Sequence, residues 1–226
     1  MWIVSCSTST VDDSSGVLSR CFTSVSYTHL DVYKRQDYAE VREVVHCLES
    51  GGVIIYPTGV GYALGCSALK KRAVEQVCQI KGVDSKRHTL AIMCQDLGEV
   101  TQYAKLSDNN FALIKSGEYE PATYILPPTT TLPMPFRQRK EVGVQLCKHP
   151  VTRIILEELE APLLTGSLPD LPEGYDTNYL TDPELIEEYY GHMVDLIIDG
   201  GVAPGGHGAI IDCTGETPQL LREGTI

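Results

Sequence analysis

From residue 37 onward, short apolar runs stopped by proline or glycine alternate irregularly with segments of helical period. That rhythm constrains the fold more than any other feature of this chain. Val53-Ile54-Ile55-Tyr56 ends at Pro57, and its length suits a buried strand and not a helix. Ahead of it, Val41, Val44, Val45 and Leu48 mark one face of a helix over 37–49, closed by Gly51-Gly52. Helical spacing returns over 71–80 through Val74, Val77, Cys78 and Ile80, and Ser107-Asp108 caps a helix through Phe111 and Ile114. Pro150 and Asp182-Pro183 open two more, placing proline where its missing N–H costs nothing. Strands are expected at 53–56, 90–94, 123–126, 142–146, 194–198, 209–212 and 218–222. Because strands and helices mix without strict βαβ order, the pattern predicts one α/β (α+β) domain over 37–226, a mixed twisted β-sheet with flanking helices.

Residues 1–36 do not share this rhythm. Twelve of them are Ser or Thr, and no hydrophobic period holds for a full helix. The start lacks the basic and apolar regions of a signal peptide. Residues 25–36 resemble a translated sequencing-adaptor string, so the segment reads as an artefactual or unstructured N-terminal extension, and function is sought from Asp37 onward.

Charge narrows the function classes. The 226 residues carry a formal charge of −12, which disfavours nucleic-acid binding by the surface as a whole. The charge is also lopsided: 14 basic and 12 acidic side chains fall in 37–153, whereas 154–221 hold 14 acidic side chains and no Lys or Arg. An anion site must therefore draw its cations from the first two-thirds or from Arg222. The eight cysteines are scattered with no C-x-x-C pair, which predicts buried free thiols in a reducing compartment, and hence a cytoplasmic location. Histidines are isolated and no H-E-x-x-H occurs, so no structural metal is expected. No apolar run approaches the roughly 20 residues of a membrane helix, so no membrane partner is expected.

The segment Tyr56-Pro57-Thr58 to Gly65 places glycines at 59, 61 and 65 after a strand. The spacing G-x-G-x-x-x-G misses the dinucleotide fingerprint by one residue, and no P-loop exists. The segment instead resembles the Y-P-T signature of the YrdC/Sua5/YciO family, through Tyr56, Pro57, Thr58, Tyr62, Leu64 and Gly65, with Ala63 in place of a glycine. The resemblance continues in order through Ile80-Lys81-Gly82, His88-Thr89-Leu90, Pro121-Ala122-Thr123-Tyr124 and Val142-Gly143-Val144. It resumes at His149-Pro150-Val151, Pro162-Leu163-Leu164, Val194 to Gly201 and Arg222-Glu223-Gly224.

This resemblance implies a single YrdC-like domain with a concave ligand-binding face. Its synthase members join threonine, bicarbonate and ATP into threonylcarbamoyl-adenylate, releasing pyrophosphate, for a tRNA modification. The implied ligands are ATP with magnesium as substrate, and threonine. Family roles carry over to Lys81, Thr123, Ser167 and Arg222 for the nucleotide, and to Thr58 and His88 for the substrate. Other family positions are lost. The K-x-R signature falls on Lys81-Gly82-Val83 and S-x-N on Ser167-Leu168-Pro169; a strand arginine falls on Gln145, and a Ser-Thr pair on Gly208-Ala209. These losses resemble the YciO branch and imply diverged or weak synthase activity.

Each surviving residue also has a plainer role. Thr58 can end a strand, Thr123 can be an ordinary β-branched residue, Lys81 can answer a helix dipole, and His88 can be a surface histidine. Lys86 and Arg87 offer replacement cations. The resemblance also implies a competing function, a non-catalytic double-stranded-RNA module on the concave face, lined by Lys70-Lys71-Arg72 with Lys81, Lys86 and Arg87, or by Arg137, Arg139 and Lys140. The glycine-rich stretch 200–208 is either an anion nest or a strand connection.

Overall fold

The computed structural model describes residues 37–84, 91–132, 136, 139–169 and 171–225. The expectations for 1–36, Lys86, Arg87, His88 and Arg137 lie outside them. In chain order the elements are α1 (Asp37–Ser50), β1 (Val53–Pro57), β2 (Tyr62–Ser67), α2 (Lys71–Ile80), β3 (Ala91–Cys94), α3 (Leu97–Tyr103), α4 (Asp108–Ser116) and β4 (Ala122–Leu126). There follow β5 (Val142–Leu146), α5 (Pro150–Glu158), β6 (Leu163–Ser167), α6 (Pro183–Tyr190), β7 (Leu196–Ile197), β8 (Ala209–Asp212) and β9 (Gln219–Arg222). The nine strands form one mixed sheet in the order β7-β1-β2-β6-β3-β5-β4-β8-β9.

Most expected elements are present within a residue or two of the pattern, and the prolines at 150 and 183 sit in the first turns of α5 and α6. Three elements were not expected. Strand β2 is hidden by its glycines: Gly65 is in the strand because the Tyr56 ring fills the space beside it, and a Cβ there would lie 2.7 Å from that ring. Strand β6 carries only three residues before Gly166 and Ser167, too short a run to stand out. Helix α3 has a legible start, since Asp96 accepts from the Glu99 N–H while the Glu99 carboxylate accepts from the Gln95 N–H, a near-relative of the capping box.

Register decides which side chains share a face. One face carries Val53, Ile55, Leu64, Cys66, Ile92, Val142, Val144, Tyr124 and Ile211, all buried under α2, α3, α4 and α6. On the other face, Ile54, Tyr56, Ala63, Met93 and Leu163 pack against Val44 and Leu48 of α1 and Val151 and Ile155 of α5. These two helices cover only the β7-β1-β2-β6-β3 half. Over β5, β4 and β8 the same face carries Gln145, Thr123, Ile125 and Ile210, which are half-buried with no helix above them among the described residues. The free thiols of Cys66, Cys78, Cys94, Cys147 and Cys213 are buried and that of Cys47 is half-buried, as the spacing predicts. Among the described residues no helix is long and apolar enough to cross a membrane.

Candidate functional site

Of the expected residues, Thr123 and Arg222 lie on the uncovered half of the sheet, whereas Ser167 ends β6 and Thr58 follows β1 in the covered half. Cross-strand partners form a row: Arg222 opposite Ile210, Ile210 opposite Thr123, Thr123 opposite Gln145, Gln145 opposite Met93, and Met93 opposite Leu163. Ser167 lies four residues beyond Leu163 on β6, hence on the same face. By strand spacing and rise, Ser167 and Thr123 stand roughly 20 Å apart, so the candidates frame a surface and do not form one cluster.

They occur as three pairs. Lys81, just past the end of α2, runs its side chain over Gly166 and donates to the Ser167 carbonyl and, at 3.2 Å, to its hydroxyl. Gln145 Nε2 donates to Thr123 Oγ1 at 2.6 Å. Arg222 donates to the Gly208 carbonyl at 2.9 Å. Thr58 is used locally: its hydroxyl donates to the Gly61 carbonyl at 2.9 Å and accepts from the Gly61 N–H at 3.2 Å, closing a turn. The other end of that turn is braced by Tyr62, whose hydroxyl accepts from the Gly200 N–H and donates to the Gly201 carbonyl. Gly201 N–H is taken by Asp199. Two N–H groups of the glycine-rich stretch are thus satisfied by the chain itself, which favours a strand connection over an anion nest.

Beside the uncovered face, a cavity of about 50 Å³ opens between the Thr58 turn and the start of α5, lined by Thr58, Gln145, Cys147, Lys148, His149 and Thr152 among others. Thr152 donates to the Pro57 carbonyl at 2.8 Å. Lys148 forms an ion pair with Glu120. Burial pushes the His149 imidazole below its ordinary pKa, and its Nδ1 is buried without a hydrogen-bond partner. Among the described residues no group of three or more His, Cys, Asp or Glu converges as a metal site would require.

The Sua5/YciO/YrdC family model, whose description is telomere recombination, matches residues 46–224. The chain is a member of that family. It is 37% identical over 186 residues to the uncharacterized protein YciO of Escherichia coli K12, covering 81% of this chain and 88% of that one. The crystal structure of E. coli YciO superposes with a TM-score of 0.74 at 34% identity, over 85% of this chain and 92% of that chain. The threonylcarbamoyl-AMP synthase of Coxiella burnetii is 25% identical over 170 residues, 74% of this chain and 89% of that protein. Pyrococcus abyssi Sua5 complexed with L-threonine, at 24% identity, a TM-score of 0.70 and coverage of 83% of this chain and 54% of that one, shares the fold.

Within the family frame, the structure shows what the substituted positions do. Gln145, where the resemblance expects the strand arginine, spends its amide on Thr123. Pro169, where the resemblance expects the asparagine, offers its carbonyl to the buried Tyr190 hydroxyl at 3.0 Å, which ties the β6 exit to α6. Gly208 sits against Pro121, where a Cβ would lie 2.7 Å from the Pro121 carbonyl oxygen. The basic run Lys70-Lys71-Arg72 is exposed at the start of α2, one helix length from Lys81, and α2 packs beneath the covered face of the sheet. Sequence reasoning missed Lys148 and Glu120. The sole signal for Lys148 was its place directly before His149-Pro150, and Glu120 carried none.

Proposed function

We propose that the uncovered sheet face binds a nucleotide, and that the chain is a diverged relative of the threonylcarbamoyl-AMP synthases with weak synthase activity. One observation carries this reading. Lys81 and Ser167, the surviving members of two family signatures 86 residues apart, meet at the end of β6, with Lys81 reaching in from the α2 side of the sheet. An ammonium group held over a glycine beside a hydroxyl supplies a charge and a donor for a phosphate. Thr123 and Arg222 share the sheet face of Ser167, ATP would arrive with magnesium as part of the substrate, and threonine is the co-substrate on this reading. Weak synthesis follows from what Val83, Gln145, Pro169 and Gly208 cannot contribute. Each lost charge-assisted contact removes about 1.5–3 kcal/mol of binding. The double-stranded-RNA reading gains nothing from Lys70-Lys71-Arg72, which lie at the far end of α2 from Lys81.

The test is thermal stabilisation by ATP with magnesium, together with pyrophosphate release in the presence of threonine and bicarbonate. ATP is expected to raise the melting temperature, and Lys81→Ala to abolish that rise. Threonine-dependent release is expected to be slow and to vanish in the same variant. Neither stabilisation nor release in the unaltered protein would retire the nucleotide reading and direct attention to RNA titrations at several salt concentrations.

A further inference from the structure

We propose that the cluster of Tyr175, Tyr179 and Tyr189 is a docking surface for an arginine-bearing segment of a partner protein, with the guanidinium on the Tyr175 ring and Glu188 as its counter-charge. This goes beyond the nucleotide reading and does not depend on it. The cluster is carried by α6 and the chain just before it. Helix α6 packs through Ile186 and Tyr190 into the covered face of the sheet, opposite the face that carries Thr123 and Arg222.

The rings are held in place by one another and by the core. Tyr175 meets Tyr179 and Tyr189 edge to face, with centroids 5.3 and 5.0 Å apart, and Tyr179 and Tyr189 stand 6.4 Å apart at a similar angle. Tyr189 packs in turn on Tyr190 at 4.7 Å, and Tyr190 is wholly buried with its hydroxyl donating to the Pro169 carbonyl. The backbone is pinned as well. Asp176 accepts from the Asn178 N–H at 2.9 Å, and the Asn178 carbonyl accepts from the Thr181 and Asp182 N–H groups. Tyr175 is nevertheless 48% exposed. A large ring fixed in this way loses little freedom when a partner covers it, which is what a recognition anchor requires.

Electrostatics select the sign of that partner. The cluster lies within 154–221, the block with 14 acidic side chains and no Lys or Arg. Glu188 accepts from the Tyr179 hydroxyl at 3.4 Å. Among the described residues no lysine or arginine pairs with Glu188 or Asp176. Phe111, the other strongly exposed ring among them, has a cation of its own, Lys115, at 6.0 Å from its centroid. No described lysine or arginine stands over the three tyrosines. The negative ring faces and the carboxylates therefore present an unanswered field for a cation. A guanidinium suits it better than an ammonium, because it stacks flat on a ring while its N–H fork reaches a carboxylate.

Calorimetric titration of the full chain at low ionic strength tests the proposal, using acetyl-Gly-Arg-Gly-Arg-Gly-amide and the same peptide with neutral citrulline for arginine. The arginine peptide is expected to bind and to shift the ring resonances of the three tyrosines. Citrulline is expected to weaken binding by about tenfold or more, since the charge is gone. Tyr175→Ala is expected to cost about fivefold, whereas Tyr175→Phe keeps the ring face and binds as the parent does. Glu188→Gln is expected to weaken binding more than Glu43→Gln, which removes the same charge from an exposed position on α1. Equal losses in those two variants would reduce the effect to net charge and overturn the site. So would unchanged affinity in Tyr175→Ala, equal binding of the citrulline peptide, or no binding at all. Sedimentation of the protein alone covers the remaining occupant. Self-association that Arg72→Ala abolishes would place the exposed Lys70-Lys71-Arg72 run of a second copy on the tyrosines and overturn the assignment to a different protein.

Discussion

Tyr56→Ala is expected to destabilise the protein by about 3–5 kcal/mol, lowering the melting temperature by roughly 6–20 °C for a domain of this size. Tyr56 is wholly buried, packs against the strand-interior Gly65, and donates its hydroxyl to Thr165, itself 3% exposed. Truncation removes a ring that fills the space between β1 and β2. It also strands the Thr165 hydroxyl in a dry interior. Tyr56→Phe isolates the second effect, because the ring stays and the donor goes; its expected cost is about 1–2 kcal/mol. Thermal unfolding of both variants separates packing from hydrogen bonding. If Tyr56→Ala melts within a few degrees of the parent, the tight β1–β2 interlock described above is wrong.

The second large effect is a failed restoration. By family analogy, Gly208→Ser returns a hydroxyl to the proposed nucleotide-binding face and should improve binding. The backbone argues for the opposite outcome. A Cβ at this position meets the Pro121 carbonyl oxygen at 2.7 Å, and that oxygen already accepts from the Ala209 N–H at 2.9 Å, within the β4–β8 pairing. Relief requires moving one strand against another. A cost of about 1–3 kcal/mol and no gain in ATP stabilisation are expected. A serine variant that melts with the parent and responds more strongly to ATP would show that this backbone yields easily, and that glycine here is a simple loss.

How much of this was legible depended on the kind of signal each residue leaves. The helices announced themselves through period and caps, as Ser107 and Pro150 illustrate, and the buried strands through apolar runs such as Val53 to Tyr56. Strand β2 did not, because Gly65 belongs to a strand only by virtue of the aromatic ring beside it, a fact of tertiary packing. The ordered motifs named Lys81, Ser167, Thr123 and Arg222; the structure sets Ser167, Thr123 and Arg222 on one sheet face and brings Lys81 in from the α2 side. The motifs could not say that Gln145 would turn to Thr123, or that the Thr58 hydroxyl would be spent inside its own turn. Lys148 and Glu120 were illegible for a general reason: an ion pair between distant residues has no spacing to detect.

Strand β6 stands between β2 and β3 and is the single link between the β7-β1-β2 group and the β3-β5-β4-β8-β9 group. During synthesis, both groups precede it in part, so each waits with an open edge until residues 163–167 emerge. Unpaired edges of this kind are adhesive, and pairings of such long sequence separation are slow to form. Pulse-labelled hydrogen exchange during refolding is expected to show protection arriving at Leu64 and Met93, which face β6 from either side, in the same late phase; protection of either well before β6 would refute a late closure. The strand that closes the sheet also delivers Ser167 to Lys81. On the proposed nucleotide reading, the pair that would meet a phosphate therefore forms only when the two halves of the sheet join.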